Sequence, residues 1–173
     1  DNNSFDLSTK RVSWGVYADI VANRMLDDLN KEKDPFFSIF YTVVNHEPFD
    51  LEGTHKFGKD NKGNGYRSTV YYTDSVVNDL VLKAKRESWY AKTLFIVLSD
   101  HGHIYPSEKY DLNRPERYHI PLFMFGGALH EDFRGVTVND VVSQVDLATT
   151  LWNIASSTKS PFEFSVDLFD PNR

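Results

Sequence analysis

Three short runs of aromatic and aliphatic residues limit what this chain can fold into: Phe36–Val44, Leu94–Leu98 and Ile120–Phe125. The first is bounded by Pro35 and Asn45, and the third is stopped by Gly126-Gly127. Such bounded, nearly continuous apolar runs read as buried strands. Pro121 suits the start of a strand or a sheet edge. Segments of helical period lie around them. Tyr17, Val21, Met25 and Leu29 recur every four residues, with Ala22 and Leu26 beside them, and Lys31–Asp34 with Pro35 close that helix. A second helix is predicted from about Ser68 to Glu87, with Val76, Val77, Leu80, Val81 and Ala84 as its inner stripe. Lys83, Lys85 and Arg86 sit near its end, where the dipole favours cations. Asp146 is placed to cap a third helix whose inner face is Ala148, Leu151, Trp152 and Ala155.

Strands alternating with helices predict an α/β fold with a mostly parallel sheet flanked by helices. Residues 1–13 and the Gly-rich stretch Glu52–Gly65 read as exposed loops. The 173 residues suit one domain or a large piece of one. Three strands are few for that length, and the chain starts with Asp1 rather than Met, so the expectation is a piece of a longer catalytic domain.

Composition narrows the function. Net charge is −6, with no long basic run, which argues against nucleic-acid binding and against docking on anionic lipid. The chain has no cysteine, which excludes disulfides, thiolate zinc sites and a cysteine nucleophile. No stretch approaches the ~20 apolar residues of a membrane span, and no signal peptide is recognisable.

The most informative residues are Ser99-Asp100-His101-Gly102-His103, directly after the second strand. Ligands of open α/β sheets bind beyond the carboxyl ends of strands. An Asp oxygen beside a His nitrogen suits Mn²⁺, Zn²⁺ or Mg²⁺, and Gly102 lets the backbone turn both side chains inward. On these residues alone, a metal or catalytic site and an ordinary polar turn weigh about evenly. Asn45-His46-Glu47-Pro48-Phe49 follows the first strand. If the two strands run parallel, His46 shares an edge with Asp100 and is available for anion binding or proton transfer; a packed histidine in a Pro-containing turn is the better of the two readings. His119 can line the same site only if the third strand runs antiparallel. His103 can face it if the loop is extended. His55 and His130 read as solvated, and Glu108–Arg117 as a charged loop. There is no G-x-S-x-G elbow and no P-loop.

Taken in order, these motifs resemble a known family. The run from Pro35 through Asn45-His46-Glu47-Pro48-Phe49 resembles the segment before the substrate-binding histidine of lipoteichoic acid synthase-like phosphoglycerol transferases. Tyr71–Asp74, Ser88-Trp89-Tyr90 and Thr93–Gly102 resemble the sulfatase-superfamily stretch that ends in a metal-binding Asp-His-Gly. His119–Phe123 and Ser143–Leu151 resemble the strand and late helix that follow. The resemblance spans roughly residues 14–155 and takes the whole chain, 1–173, as the C-terminal part of a sulfatase-like catalytic domain.

The resemblance implies an alkaline-phosphatase-like fold and metal-assisted transfer or hydrolysis at a phosphate or sulfate ester. It makes Asp100 and His101 metal ligands, with one divalent ion, Mn²⁺ first and Mg²⁺, Ca²⁺ or Zn²⁺ as alternatives. It makes His46 a substrate contact, with His119 and His103 as further candidates on geometric grounds. The family nucleophile and another acidic ligand precede the matching region, so the expected partner is an N-terminal half of the same protein. A membrane anchor there, and a site on the extracellular face of the cytoplasmic membrane or in the periplasm, are also implied. The phosphoglycerol transferase branch is favoured, with a true sulfatase acting on glycan sulfate esters as runner-up. A non-catalytic glycan- or partner-binding domain is the reading from another class.

Overall fold

The computed structural model describes residues 4–53, 55–107 and 109–170. The first residues of the expected 1–13 loop, Thr54 within the Gly-rich stretch, and Glu108 at the head of the charged stretch lie outside that description. The chain divides into two units, Asp1–Glu131 and Asp132–Arg173.

Helix α1, Ala18–Leu29, matches its predicted span. Ala18, Ala22, Leu26 and Leu29 are buried, a spacing that keeps them on one face. Helix α2 runs Lys62–Ala84 and starts six residues before the predicted Ser68. Its first turns carry glycine and polar residues, so hydrophobic period gives no sign of them. Capping decides the start instead: the Asn61 side chain accepts the Asn64 N–H at 2.9 Å, one of the donors a helix N-terminus leaves unmet. The Glu52–Gly65 loop is therefore shorter than expected.

Val76, Leu80 and Ala84 of α2 pack on Ala18, Ala22 and Leu26 of α1, and Phe40, Tyr72, Trp89, Tyr90 and Phe95 close around them. A second cluster holds Val12, Tyr17, Val44 and Leu51. Each fully buried Leu or Val contributes about 1.5–3 kcal/mol by leaving water.

Strands β1 (Arg11–Val12) and β2 (Gly15–Val16) form a short antiparallel pair. Strands β3 (Phe95–Leu98) and β4 (Leu122–Phe125) also pair antiparallel, with Leu98 opposite Leu122 and Phe95 opposite Phe125. The ladders among the described residues are thus antiparallel, where the pattern predicts parallel pairing. The reason is that the 23-residue connection from β3 to β4 holds no α-helix among its described residues, so no α crossover imposes parallel direction. β3 is half-buried rather than buried, and Leu98 is exposed.

The run Phe36–Val44 belongs to no ladder among the described residues. Its burial nonetheless alternates over most of its length, with Ser38 exposed and Val43 half-buried as the exceptions. Phe36, Phe40, Thr42 and Val44 turn inward, whereas Phe37, Ile39 and Tyr41 are 78%, 76% and 64% exposed. A period of two is that of a strand. Continuous apolar character signals a strand meant to be covered on both faces, but it does not say whether the covering residues lie in the same chain. Phe36 meets Trp89 edge-to-face, upstream of β3, and Tyr41 reaches Asp100, just beyond it. The run therefore travels alongside β3 in the same direction.

In the second unit, helix α3 spans Asp146–Ala155. Asp146 is the first helical residue rather than the predicted cap: Val145 holds the cap position without a side-chain bond, and the Asp146 carboxylate instead accepts the Ser143 N–H at 2.9 Å and the Val166 N–H at 3.0 Å, tying down the flanking chain. The buried positions differ from the predicted Ala148, Leu151, Trp152 and Ala155. They are Thr149 and Thr150, whose hydroxyls and amides are bonded to Ser165 and Leu168. Satisfied hydroxyls bury at little cost, so a polar face can replace the expected apolar one.

Candidate functional site

Asp100 and His101 leave β3 in a turn that fixes both side chains by backbone contacts. The His101 N–H donates to Asp100 Oδ1 at 3.0 Å, and Tyr41 Oη donates to Asp100 Oδ2 at 2.6 Å. His101 Nδ1 lies 2.8 Å from the Gly102 carbonyl oxygen. A carbonyl only accepts, so Nδ1 carries a proton, and in the neutral imidazole Nε2 keeps its lone pair. That Nε2 stands 3.8 Å from Asp100 Oδ2. One nitrogen and one carboxylate oxygen, each with a lone pair to give and close enough to share an ion, fit a divalent cation of the Mn²⁺ or Zn²⁺ kind. No group of three or more His, Asp or Glu suited to a metal occurs among the described residues, so the pair is at most part of a ligand set. The hydrogen bond from Tyr41 is the main cause that holds the Asp100 carboxyl below the usual carboxylate range, against the opposing effect of burial.

Gly102 is required by close approach rather than by turn geometry. A Cβ there would lie 2.0 Å from the Arg117 carbonyl oxygen, because the 3-10 turn Pro115–Tyr118 seats directly on it. The antiparallel register meets the condition set for His119: Leu122 faces Leu98, so His119 precedes β4 at the end of the sheet where Asp100 follows β3. It is exposed there.

His46 sits at the same end, in the turn after the Phe36–Val44 run. Its Nδ1 lies 2.8 Å from the Glu47 carbonyl oxygen, which also accepts the Trp14 indole N–H at 2.7 Å. The Trp14 and His46 rings are 3.9 Å apart between centroids. Helix α2 anchors this turn from the other side, through Thr73 to Asn45 at 2.6 Å and Lys62 to Glu47 at 3.2 Å. Phe49 ends the turn with a φ of 59°, a left-handed conformation that costs a non-glycine residue roughly 1–2 kcal/mol. That strain is offset by burial of its ring against Tyr66, His103 and Tyr105.

His103 is the link between the two turns. It stacks on Tyr66 of α2 at 4.5 Å and 6°, and it accepts the Tyr105 N–H at Nδ1. Burial holds its pKa below the ordinary histidine value, with the charge of His101 adding in the same sense; Glu47, Arg117 and His46 also act on it. The structure thus brings Asp100, His101, His103 and His46 to one end of the first unit, with His119 entering from β4. Sequence reasoning missed Tyr41, Trp14 and the Glu47–Lys62 pair. The alternation of Phe37, Ile39 and Tyr41 would have put Tyr41 on the open face, but nothing in it points to Asp100.

A cleft of about 820 Å³ opens beside the His46 turn, lined by Arg11, Pro48, Phe49, Asp50, His55 and Lys62 among others, and it includes none of the five candidate residues. Its basic groups are balanced by Asp50, Glu52 and Asp60, so volume alone does not make it the chemical centre. His55 borders this cleft half-buried, with Nδ1 shielded from solvent and without a hydrogen-bond partner among the described residues, rather than solvated as its loop composition predicts.

The Sulfatase family model matches residues 1–157, and the chain belongs to that family. The fold is that of the alkaline phosphatase superfamily: a protein of that superfamily from Vibrio parahaemolyticus superposes with a TM-score of 0.78 at 23% identity, over 98% of this chain and 41% of the other. Lipoteichoic acid synthase of Staphylococcus aureus (strain USA300) is 27% identical over 98% of this chain and 28% of its own length. Lipoteichoic acid synthase-like YvgJ of Bacillus subtilis (strain 168) is 25% identical over 93% of this chain and 29% of its own. The chain therefore spans under a third of the curated relatives it matches.

Proposed function

We propose that this chain is the metal-binding and substrate-contacting part of a phosphoglycerol transferase of the lipoteichoic acid synthase type, with its nucleophile outside these 173 residues. The observation that carries the reading is the His101 tautomer: Nδ1 is committed to Gly102, and Nε2 is left beside a carboxylate oxygen 3.8 Å away. The relatives named for lipoteichoic acid synthesis support the transferase branch. Asp100 and His101 would hold one divalent ion, Mn²⁺ first, with Mg²⁺, Ca²⁺ or Zn²⁺ as alternatives. When bound, such an ion supplies Lewis acidity: it neutralises charge on the transferred group and lowers the pKa of a nucleophile.

His46 contributes in a way its hydrogen bonding dictates. With Nδ1 donating to Glu47, neutral His46 offers only a lone pair at Nε2, suited to a hydroxyl proton. Protonated, it offers an N–H to an anionic ester oxygen. Trp14 and Glu47 hold the ring in place. His103, kept neutral and stacked on Tyr66, orients the Asp-His loop against α2, and His119 enters from β4 as a further substrate contact.

The intact protein would act on an anionic phosphate ester outside the cytoplasm, anchored to the membrane by residues beyond this chain. No helix among the described residues is long and apolar enough to cross a membrane. The family match by itself favours a second reading, hydrolysis of glycan sulfate esters.

The test uses the intact protein supplied with Mn²⁺ and offered phosphatidylglycerol or an aryl sulfate ester. Transfer from the lipid that is lost in Asp100→Ala and His101→Ala supports the transferase. Sulfate release instead favours the second reading. A protein that turns over neither and binds no divalent ion is a binding module, and the enzyme reading is then wrong.

A further inference from the structure

We infer that Tyr41 is a positioning residue for the metal site, acting through Asp100; this rests on the assignment of Asp100 as a ligand. Tyr41 lies 59 positions before Asp100 in the chain, on the exposed face of the Phe36–Val44 run, and donates from Oη to Asp100 Oδ2 at 2.6 Å. Among the described residues it is the group hydrogen-bonded to that oxygen, while the other oxygen, Oδ1, is held by the His101 N–H at 3.0 Å.

The two bonds do different work. A single donor at Oδ1 leaves the carboxylate free to rotate about its last bond, and the Asp100 side chain is 51% exposed, so no packing stops it. A second donor at Oδ2 fixes the carboxylate plane. A carboxylate oxygen has two lone pairs. Tyr41 takes one, and Oδ2 is also the oxygen facing His101 Nε2 at 3.8 Å. What remains is one free lone pair on the oxygen and one on the neutral imidazole nitrogen, aimed before any ion arrives. Ordering done in advance is not charged against binding, and hydrogen bonds that orient a ligand typically change metal affinity by about 10–100-fold. Tyr41 is 64% exposed, so its hydroxyl, and not its burial, is what ties it to this place.

The experiment measures Mn²⁺ affinity of the intact protein by the electron paramagnetic resonance signal of the free ion. It compares wild type, Tyr41→Phe, Tyr41→Leu and Asp100→Ala, with the melting temperature of each metal-free protein as a check on folding. Tyr41→Phe should melt as wild type does, bind Mn²⁺ about tenfold more weakly, and change the spectrum of the bound ion. Tyr41→Leu should match it. If Asp100→Ala abolishes binding while Tyr41→Phe binds as wild type, the positioning role is overturned, and a loss confined to Tyr41→Leu assigns the effect to ring packing instead. If Asp100→Ala keeps wild-type affinity, or wild type binds no Mn²⁺, the ligand assignment itself fails and the role of Tyr41 falls with it.

Discussion

Replacing Gly102 with alanine tests whether the loop that carries Asp100 and His101 has only one seat. An added Cβ would lie 2.0 Å from the Arg117 carbonyl oxygen, 2.9 Å from its carbon and 3.0 Å from the Tyr118 Cα. All three are backbone atoms, so no side-chain rotation relieves the overlap. Relief needs about 1 Å more separation, either by lifting the loop or by displacing the Pro115–Tyr118 turn. Overpacking of this kind costs about 1–3 kcal/mol. If the loop lifts, it carries with it the Gly102 carbonyl to which His101 donates. Moving that carbonyl turns the imidazole away from Asp100. A cost near 2 kcal/mol, if it appears wholly in metal binding, corresponds to about 30-fold in Kd. A misplacement of about 1 Å at a reacting centre costs on the order of 100-fold in rate. The assay is Mn²⁺ titration and turnover of the intact protein, with thermal melting alongside. Gly102→Ala should lose affinity and rate by those factors and melt lower. Wild-type affinity and rate in this variant would show that the close contact with Arg117 is not kept in the working protein, and the argument for a pre-set ligand pair would go with it.

His46→Ala should slow turnover while leaving Mn²⁺ affinity within about twofold of wild type; a variant that loses the metal means His46 is a ligand rather than a substrate contact. His103 predicts a pH effect whose sign follows from its depressed pKa. Protonation favours the unfolded chain, so stability is full above about pH 6.5 and falls on acidification until the folded value is passed. In metal-free melts, His103→Phe should lose that part of the slope, and an unchanged slope would point to another group. Leu80→Ala, deep between α1 and α2, should cost about 2–5 kcal/mol by denaturant unfolding; a cost under 1 kcal/mol would mean that the two helices are not the core of the unit.

The parts of this molecule that sequence reveals are those set by burial of one continuous face. Helix α1 is such a case, since Ala22, Leu26 and Leu29 repeat at helical spacing and are buried. So is the core of α2, but its first six residues carry no apolar stripe and are helical because Asn61 caps them. Strand direction was not legible, because pairing between β3 and β4 depends on how the long connection from Ser99 to Pro121 returns. The candidate site divides along the same line. Asp100, His101 and His46 announce themselves by residue type after an apolar run. Tyr41 and Trp14 do not, since their roles rest on contacts across 59 and 33 residues that no local pattern encodes. His119 was conditional on an antiparallel strand, and only the register of Leu98 with Leu122 brings it to the right end.

The most direct test of the central claim is an anomalous difference map at the manganese edge from crystals of the intact protein grown with Mn²⁺. The account predicts a peak bonded to both Asp100 Oδ2 and His101 Nε2, with His101 Nδ1 still donating to Gly102. A peak elsewhere, or His101 Nε2 engaged by a protein hydrogen bond with no metal beside Asp100, would contradict it.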